Sequence, residues 1–251
     1  MTDDGGTGAE DRDDDLSRLA PGSPDWATRI NELRGIDLTP RRAELIRLSE
    51  AVRDVLHRLV QTSAPVPMIA EAADQVEVVA ALLAAHRSAS TYEGFAESAN
   101  AGEPFGFFDH SPMLGRANPL APPIELSLEN GRMVGRATFG AAYEGPPGCV
   151  HGGFIAAAFD EVLGSTQSLS GSPGMTGRLT VTYRSPTPLL TPLVFEGTLD
   201  RVEGRKIFTT GRLHAGEVLC AEAEGLFISI DFAKFAALKA RRDELQQGEA
   251  G

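Results

Sequence analysis

The fold class the sequence predicts is α+β: one long apolar helix against an antiparallel sheet, with amphipathic helices in front. Three observations carry that reading. Apolar residues change from three- and four-residue intervals to alternation beyond Ile124; an Asn130-Gly131 pair interrupts the alternation; and an apolar helical stretch is followed by four strand-like segments joined by tight turns.

Taken in order, residues 1–35 combine acids, glycine and proline with few apolar side chains, so they are expected to form a disordered acidic tail. From Thr39 the pattern changes. Pro40 suits a first helical turn, and Leu45, Leu48, Val52, Val55, Leu56 and Leu59 then recur at helical spacing. After the break at Ala64-Pro65-Val66-Pro67, Ile69, Ala72, Val76, Val79 and Leu83 mark a second helix. The pair predicts a helical hairpin extension over 36–100. The Pro- and Gly-punctuated stretch from Gly94 to Pro123 reads as a loop packed by Phe105, Phe107 and Phe108.

ELSLENGRMVGRATF then alternates about Asn130-Gly131, a strong hairpin signal. Residues 147–170 read as one helix. RLTVTYR, LVFEGTLDRV, KIFTTGRLHA and VLCAEAEGLFISI follow as four strands in a meander, turning at Glu203-Gly204 and Ala215-Gly216. The sheet-and-helix domain is thus expected over 101–231, with 232–251 a C-terminal helix or tail.

Composition narrows the function. Of 251 residues, 42% are apolar and 23% charged, enough for a substantial core. The net charge of −12 argues against nucleic acid and anionic membranes as partners. No apolar run is long enough for a bilayer and the acidic N-terminus is unlike a leader, so the expected location is cytoplasmic. Cys149 and Cys220 are expected as free thiols, and no His, Cys and acid cluster has metal-ligand spacing.

The chemistry concentrates in GCVHGGFIAAAFDEVLG. A helix start leaves free N–H groups at a positive dipole end, and glycines there admit a ligand to the backbone. Gly152 and Gly153 therefore suit an oxyanion, where one good donor is worth about two to three orders of magnitude in rate. Asp160 lies eight positions beyond Gly152, ~12 Å along the axis, too far to serve the same carbonyl. Two chains packed antiparallel about a two-fold axis would bring Gly152 of one to Asp160 of the other, which predicts an obligate dimer. Such glycines also serve plain close packing, and Asp160-Glu161 could be an exposed face. Against that, Ala156, Ala157, Phe159, Val162 and Leu163 surround Asp160, and a buried carboxylate needs a partner or a task. Glu161 points about 100° away around the helix and reads as a surface or supporting acid. Cys149, two residues from His151, is poorly placed as a nucleophile.

HGGFIAAAFDEVLG, GSPGMTGRLTVTYRSPTPL and LDRVEGRKIF together resemble the hotdog-fold acyl-CoA thioesterases, in particular the phenylacetate-operon type and the related mitochondrial enzymes of fatty acid metabolism. The resemblance runs from about Glu103 to Ile230. It implies that Gly152 N–H polarises the thioester carbonyl, that Asp160 of the partner subunit is general base or nucleophile, that Thr176 positions the attacking water, and that His151 orients the loop or the carbonyl. Gly145 stands where many relatives carry Asn or Gln. The substrate would be an acyl-CoA held by Gly153, with Arg184, Arg205 and Lys206 near its phosphates. No cofactor is implied, since coenzyme A belongs to the substrate, and the assembly expected is a homodimer or a dimer of dimers. The rival readings are a non-catalytic acyl-CoA-binding sensor on the same scaffold and an enoyl-CoA hydratase, whose usual histidine further along the helix has no counterpart here.

Overall fold

The computed structural model describes residues 27–28, 30–33, 38–86, 106–172 and 174–229. Ala27 and Ile30, 0% and 6% exposed, join the hydrophobic core, and Ile30–Leu33 forms a short helix, α1. The expected disordered tail through residue 35 is corrected there. Its few apolar residues find the sheet edge, where the Asn31 amide donates to Leu128 O at 2.9 Å and accepts from Leu128 N–H at 3.0 Å. The rest of that tail, and 232–251, lie outside the described residues.

Helix α2 (Pro40–Leu59) starts as its sequence directs: Thr39 Oγ1 accepts the N–H of Arg42 at 3.1 Å, and Pro40 occupies the first turn. The Arg42 guanidinium forms an ion pair with the buried Asp109 carboxylate. Arg53 donates to the carbonyls of Ala121 and Asn118, both at 2.8 Å, and of Arg116 at 3.2 Å. Helix α3 (Val66–Ala84) departs from the expected hairpin. It has no buried residue, and Val66, Met68, Val78 and Leu82 are 60–79% exposed, so its apolar residues do not fold back onto α2. Their spacing specified a helix but named no surface for it. In the loop before the sheet, Gly106–His110 adds a short helix, α4, in which Phe108 packs on the core; Phe105 lies outside the described residues.

Asn130 and Gly131 both take positive φ, 51° and 76°, the two-residue turn whose twist matches its strands. It joins β1 (Glu125–Glu129) to β2 (Arg132–Thr138). Helix α5 (Gly152–Gln167) follows, shorter than the 147–170 expected. Residues before it are held by a left-handed Gly148 (φ 74°) and by bridges of Glu144 to Val150 and Cys149 to Pro188. A further 3-10 turn, Ser168–Ser170, closes its far end.

Strands β3 (Gly174–Tyr183), β4 (Pro192–Glu203), β5 (Lys206–Ala215) and β6 (Val218–Ser229) complete a six-stranded antiparallel sheet in the order β1-β2-β4-β5-β6-β3. The strands and the α+β class match the sequence reading, but the meander is corrected. Only β4, β5 and β6 run consecutively; β3 pairs with β6 at the far edge, and β4 pairs with β2. The link from β3 to β4 contains Pro186 and Pro188 and is held across the sheet end, with Val150 N–H on Thr187 O and Leu190 N–H on Phe139 O, both 2.8 Å. A tight turn back onto β3 is thereby precluded.

Ile155, Phe159, Val162, Leu163 and Thr166 of α5 are fully or nearly buried against Met133, Phe195, Leu213 and Phe227. Phe159 meets Phe195 edge to face, centroids 5.3 Å apart. Glycines in the strands beneath permit this contact: a Cβ on Gly197 would lie 2.1 Å from Thr166 Oγ1, and one on Gly211 3.1 Å from Phe159 and Leu163. Those two glycines are register partners across β4 and β5.

Candidate active site

The helix start is built by His151. Its backbone is extended (φ −61°, ψ 133°), its N–H donates to Tyr143 O at 2.9 Å, and its carbonyl accepts from Phe154 and Ile155. Its Nδ1 accepts the N–H of Gly153 at 3.0 Å, an N-cap made by an imidazole. That bond separates the two glycines. The Gly153 N–H is consumed, whereas the Gly152 N–H has no acceptor among the described residues and stands at the positive end of α5. His151 thus ties the start of α5 to the loop before it.

Gly145 is fixed by shape. A Cβ there would fall 2.8 Å from His151 Cα, so no side chain larger than hydrogen fits while the helix start keeps this form. Tyr183, at the end of β3, donates its hydroxyl to Gly152 O at 2.8 Å, and a Cβ on Gly152 would lie 3.2 Å from that oxygen. Sequence reasoning gave Tyr183 no role. Its signal was present in the Tyr-x-x-Pro strand end.

Asp160, half-buried on α5, accepts a hydrogen bond from Thr176 Oγ1 at 2.7 Å. Thr176 sits at an irregularity of β3, where the register with β6 shifts between Thr176 and Arg178, and such a bulge re-aims a side chain. The sequence reading gave the two residues separate roles, and the bond brings their side chains together within one chain. Glu161 points elsewhere, accepting from Ser111 Oγ at 3.1 Å. Burial pushes its carboxyl above the usual range, the Ser111 hydroxyl opposes that, and the nearby Asp160 charge adds to it.

One chain does not bring all the expected residues together. Gly152 is held by Tyr183 at one end of β3 and Asp160 by Thr176 at the other, positions seven residues or on the order of 20 Å apart along the strand. The cationic residues divide likewise. Arg184 Nε donates to Glu222 Oε2 at 2.9 Å near Tyr183, while the Arg205 guanidinium bonds Ser229 O at 3.2 and 3.1 Å near the start of β3. Lys206 is exposed beside Arg205. Within one chain Arg184 thus stands apart from Arg205 and Lys206, with most of the length of β6 between them. Among the described residues no helix is long and apolar enough to cross a membrane.

Comparison with known proteins follows the same residues. A model of the thioesterase superfamily matches residues 147–221. The chain is 38% identical over 101 residues to the acyl-coenzyme A thioesterase THEM4 of Xenopus laevis, covering 39% of this chain and 46% of that protein. To THEM4 of Mus musculus it is 39% identical over 94 residues, covering 37% and 40%. The chain spans less than half the length of these curated relatives. A crystal structure of a thioesterase superfamily protein superposes with a TM-score of 0.65 at 36% identity, over 74% of this chain and 90% of that one. At that identity and coverage, and with the family match over 147–221, the chain belongs to the thioesterase superfamily.

Proposed function

We propose that the protein hydrolyses an acyl-CoA thioester to a carboxylic acid and coenzyme A in a site shared by two subunits. The observation that carries the reading is the division of labour along β3: an unoccupied N–H donor at Gly152 at one end and the hydrogen-bonded Asp160–Thr176 pair at the other. The names of the THEM4 relatives supply the substrate class.

The dimer rests on the same strand. Among the described residues no strand pairs with the other edge of β3, where Met175 is 57% and Tyr183 52% exposed, and open edges template pairing. Two copies of β3 paired antiparallel about a two-fold axis between Leu179 and Thr180 set Thr176 opposite the partner subunit's Tyr183. Gly152 then faces the partner subunit's Asp160, and Arg184 approaches the end that carries the partner's Arg205 and the partner's Lys206.

In that site the thioester carbonyl oxygen accepts from Gly152 N–H. Asp160 takes a proton from water as the water oxygen bonds to the carbonyl carbon, and Thr176, donating to Oδ1, fixes the carboxylate and leaves Oδ2 for the water. The tetrahedral intermediate's charge is held at the helix end. Its collapse breaks the C–S bond, and the proton returns from Asp160 to the departing thiolate.

The test is coenzyme A release, followed with a thiol reagent, over short, medium, long-chain and aryl acyl-CoAs. Turnover by the parent that Asp160→Asn abolishes supports the proposal. An absence of turnover together with an acyl-CoA-dependent rise in Tm would identify a binding module instead.

A further inference from the structure

We propose that His57, in the helical extension, is a positioning residue for the thioester site, holding the loop that presents His151 and Gly152. The inference rests on the thioesterase reading above for its effect on rate.

Helix α2 is fastened to the body upstream of His57 by Arg42 on Asp109 and by Arg53 on three loop carbonyls. Its last turn is therefore held against the segment that leads into the helix start. There His57 Nδ1 accepts the N–H of Ala142 at 3.1 Å, 85 residues away in sequence. Its ring stands edge-on to Tyr143, centroids 5.5 Å apart. The seat is shaped for that ring, since a Cβ on Gly140 would lie 2.5 Å from His57 Cε1 and 2.7 Å from Nδ1.

From this turn two routes reach the catalytic loop. Along the backbone, Tyr143 O accepts the N–H of His151 at 2.9 Å. Through the rings, Tyr143 packs edge to face on Phe154 at 5.0 Å, and Phe154 on the His151 imidazole at 6.3 Å. The Tyr143 hydroxyl is tied to Leu120 O at 3.0 Å, so the relay does not swing freely. A shift of the 140–143 turn moves His151, whose Nδ1 decides which glycine N–H remains available. Without His57 the Ala142 N–H loses that acceptor.

The bond needs a bare Nδ1. Burial, with the charge of Arg53, lowers the His57 pKa below the ordinary histidine value while Asp54 opposes, and the Tyr143 phenol facing it is pushed up to about 12 by burial and stays neutral. The imidazole is accordingly an acceptor at neutral pH.

The experiment compares full-length parent, His57→Phe, His57→Asn and Gly140→Ala. Phe keeps the ring and removes the acceptor; Asn keeps an acceptor at the δ position and removes the ring; the added Cβ of Gly140→Ala displaces the imidazole from the other side. The expected result is a fall in kcat of about tenfold in His57→Phe and Gly140→Ala with KM within about twofold, and kcat restored to within about threefold of the parent in His57→Asn. Amide hydrogen exchange of peptides spanning 140–155 should quicken in the first two variants and not in His57→Asn. Parent-like kcat and exchange in both His57→Phe and Gly140→Ala would overturn the proposal. If His57→Phe fails to fold, Gly140→Ala decides by the same two readouts. If the parent itself releases no coenzyme A, the thioesterase reading has failed separately, and unchanged exchange across 140–155 then overturns the positional claim by itself.

Discussion

Thr176 Oγ1 donates to Asp160 Oδ1 over 2.7 Å within one chain. In the proposed site the base and the hydroxyl that orients it therefore come from a single subunit, whichever chain supplies the oxyanion donor.

Asp160→Asn preserves the shape and an acceptor for Thr176 but not the basicity. Coenzyme A release should fall by at least about 10²-fold, the usual contribution of a positioned base, with Tm nearly unchanged. Thr176→Val should cost less, on the order of tenfold, because the carboxylate remains but loses its orientation. A Thr176→Val enzyme slower than Asp160→Asn would contradict these roles.

Gly152→Pro removes the free N–H at a position where proline suits a helix. His151 already has the extended backbone that a following proline requires. Release should drop by about 10²- to 10³-fold while helical circular dichroism persists. Near-parental kcat in this variant would dismiss Gly152 as the donor.

Mixing Asp160→Asn with Gly152→Pro subunits tests sharing directly. After joint refolding, half the dimers are mixed and one of their two sites is intact, so roughly a quarter of parental activity should return. A mixture as inactive as its components would mean each chain serves its own thioester.

Glu161 fixes a sign with pH. Its folded-state carboxyl is raised above the ordinary glutamate value of about 4.3, so the native state binds the proton more tightly than the unfolded chain. Stability is therefore lost as pH rises from about that value through the raised pKa, and the loss persists above it. Glu161→Gln still accepts from Ser111 and cannot ionise, so its Tm should exceed the parent's at pH 7, the gap closing near pH 4. A lower Tm at pH 7 would show that the charge stabilises the fold.

Arg42→Ala strands the Asp109 carboxylate, whose side chain is 8% exposed, and should cost about 3–5 kcal/mol in urea unfolding. A loss below ~1 kcal/mol would mean that α2 contributes little to the body.

Local chemistry made much of this legible. Asn130-Gly131 announces its own turn, and Gly152, Gly153 and Asp160 lie on one continuous helix capped by His151, as their spacing predicts. What escaped depends on meetings between distant segments. Nothing in RLTVTYR says that it pairs with β6 rather than β4; that follows from how the 184–191 link is pinned to Val150 and Phe139. Tyr183 and His57 each act through a backbone atom, and a backbone atom leaves no mark in the letters of the partner residue. The apolar face of α3 was visible, but periodicity indicates that a face exists, not what covers it.

The bare patch formed by Gly197 and Gly211 sets the height at which α5 rides over the sheet. In the proposed dimer that helix carries the donor at its tip and the acid two turns on, so its elevation is also the gap between the jaws of a shared vise. In that arrangement one methyl group under Thr166 would lift the helix in both subunits at once, opening both jaws by a distance on the scale that catalysis does not forgive. The tolerance of the chemistry is thus written in two residues that touch neither water nor thioester, on strands whose sequence shows only the absence of a side chain.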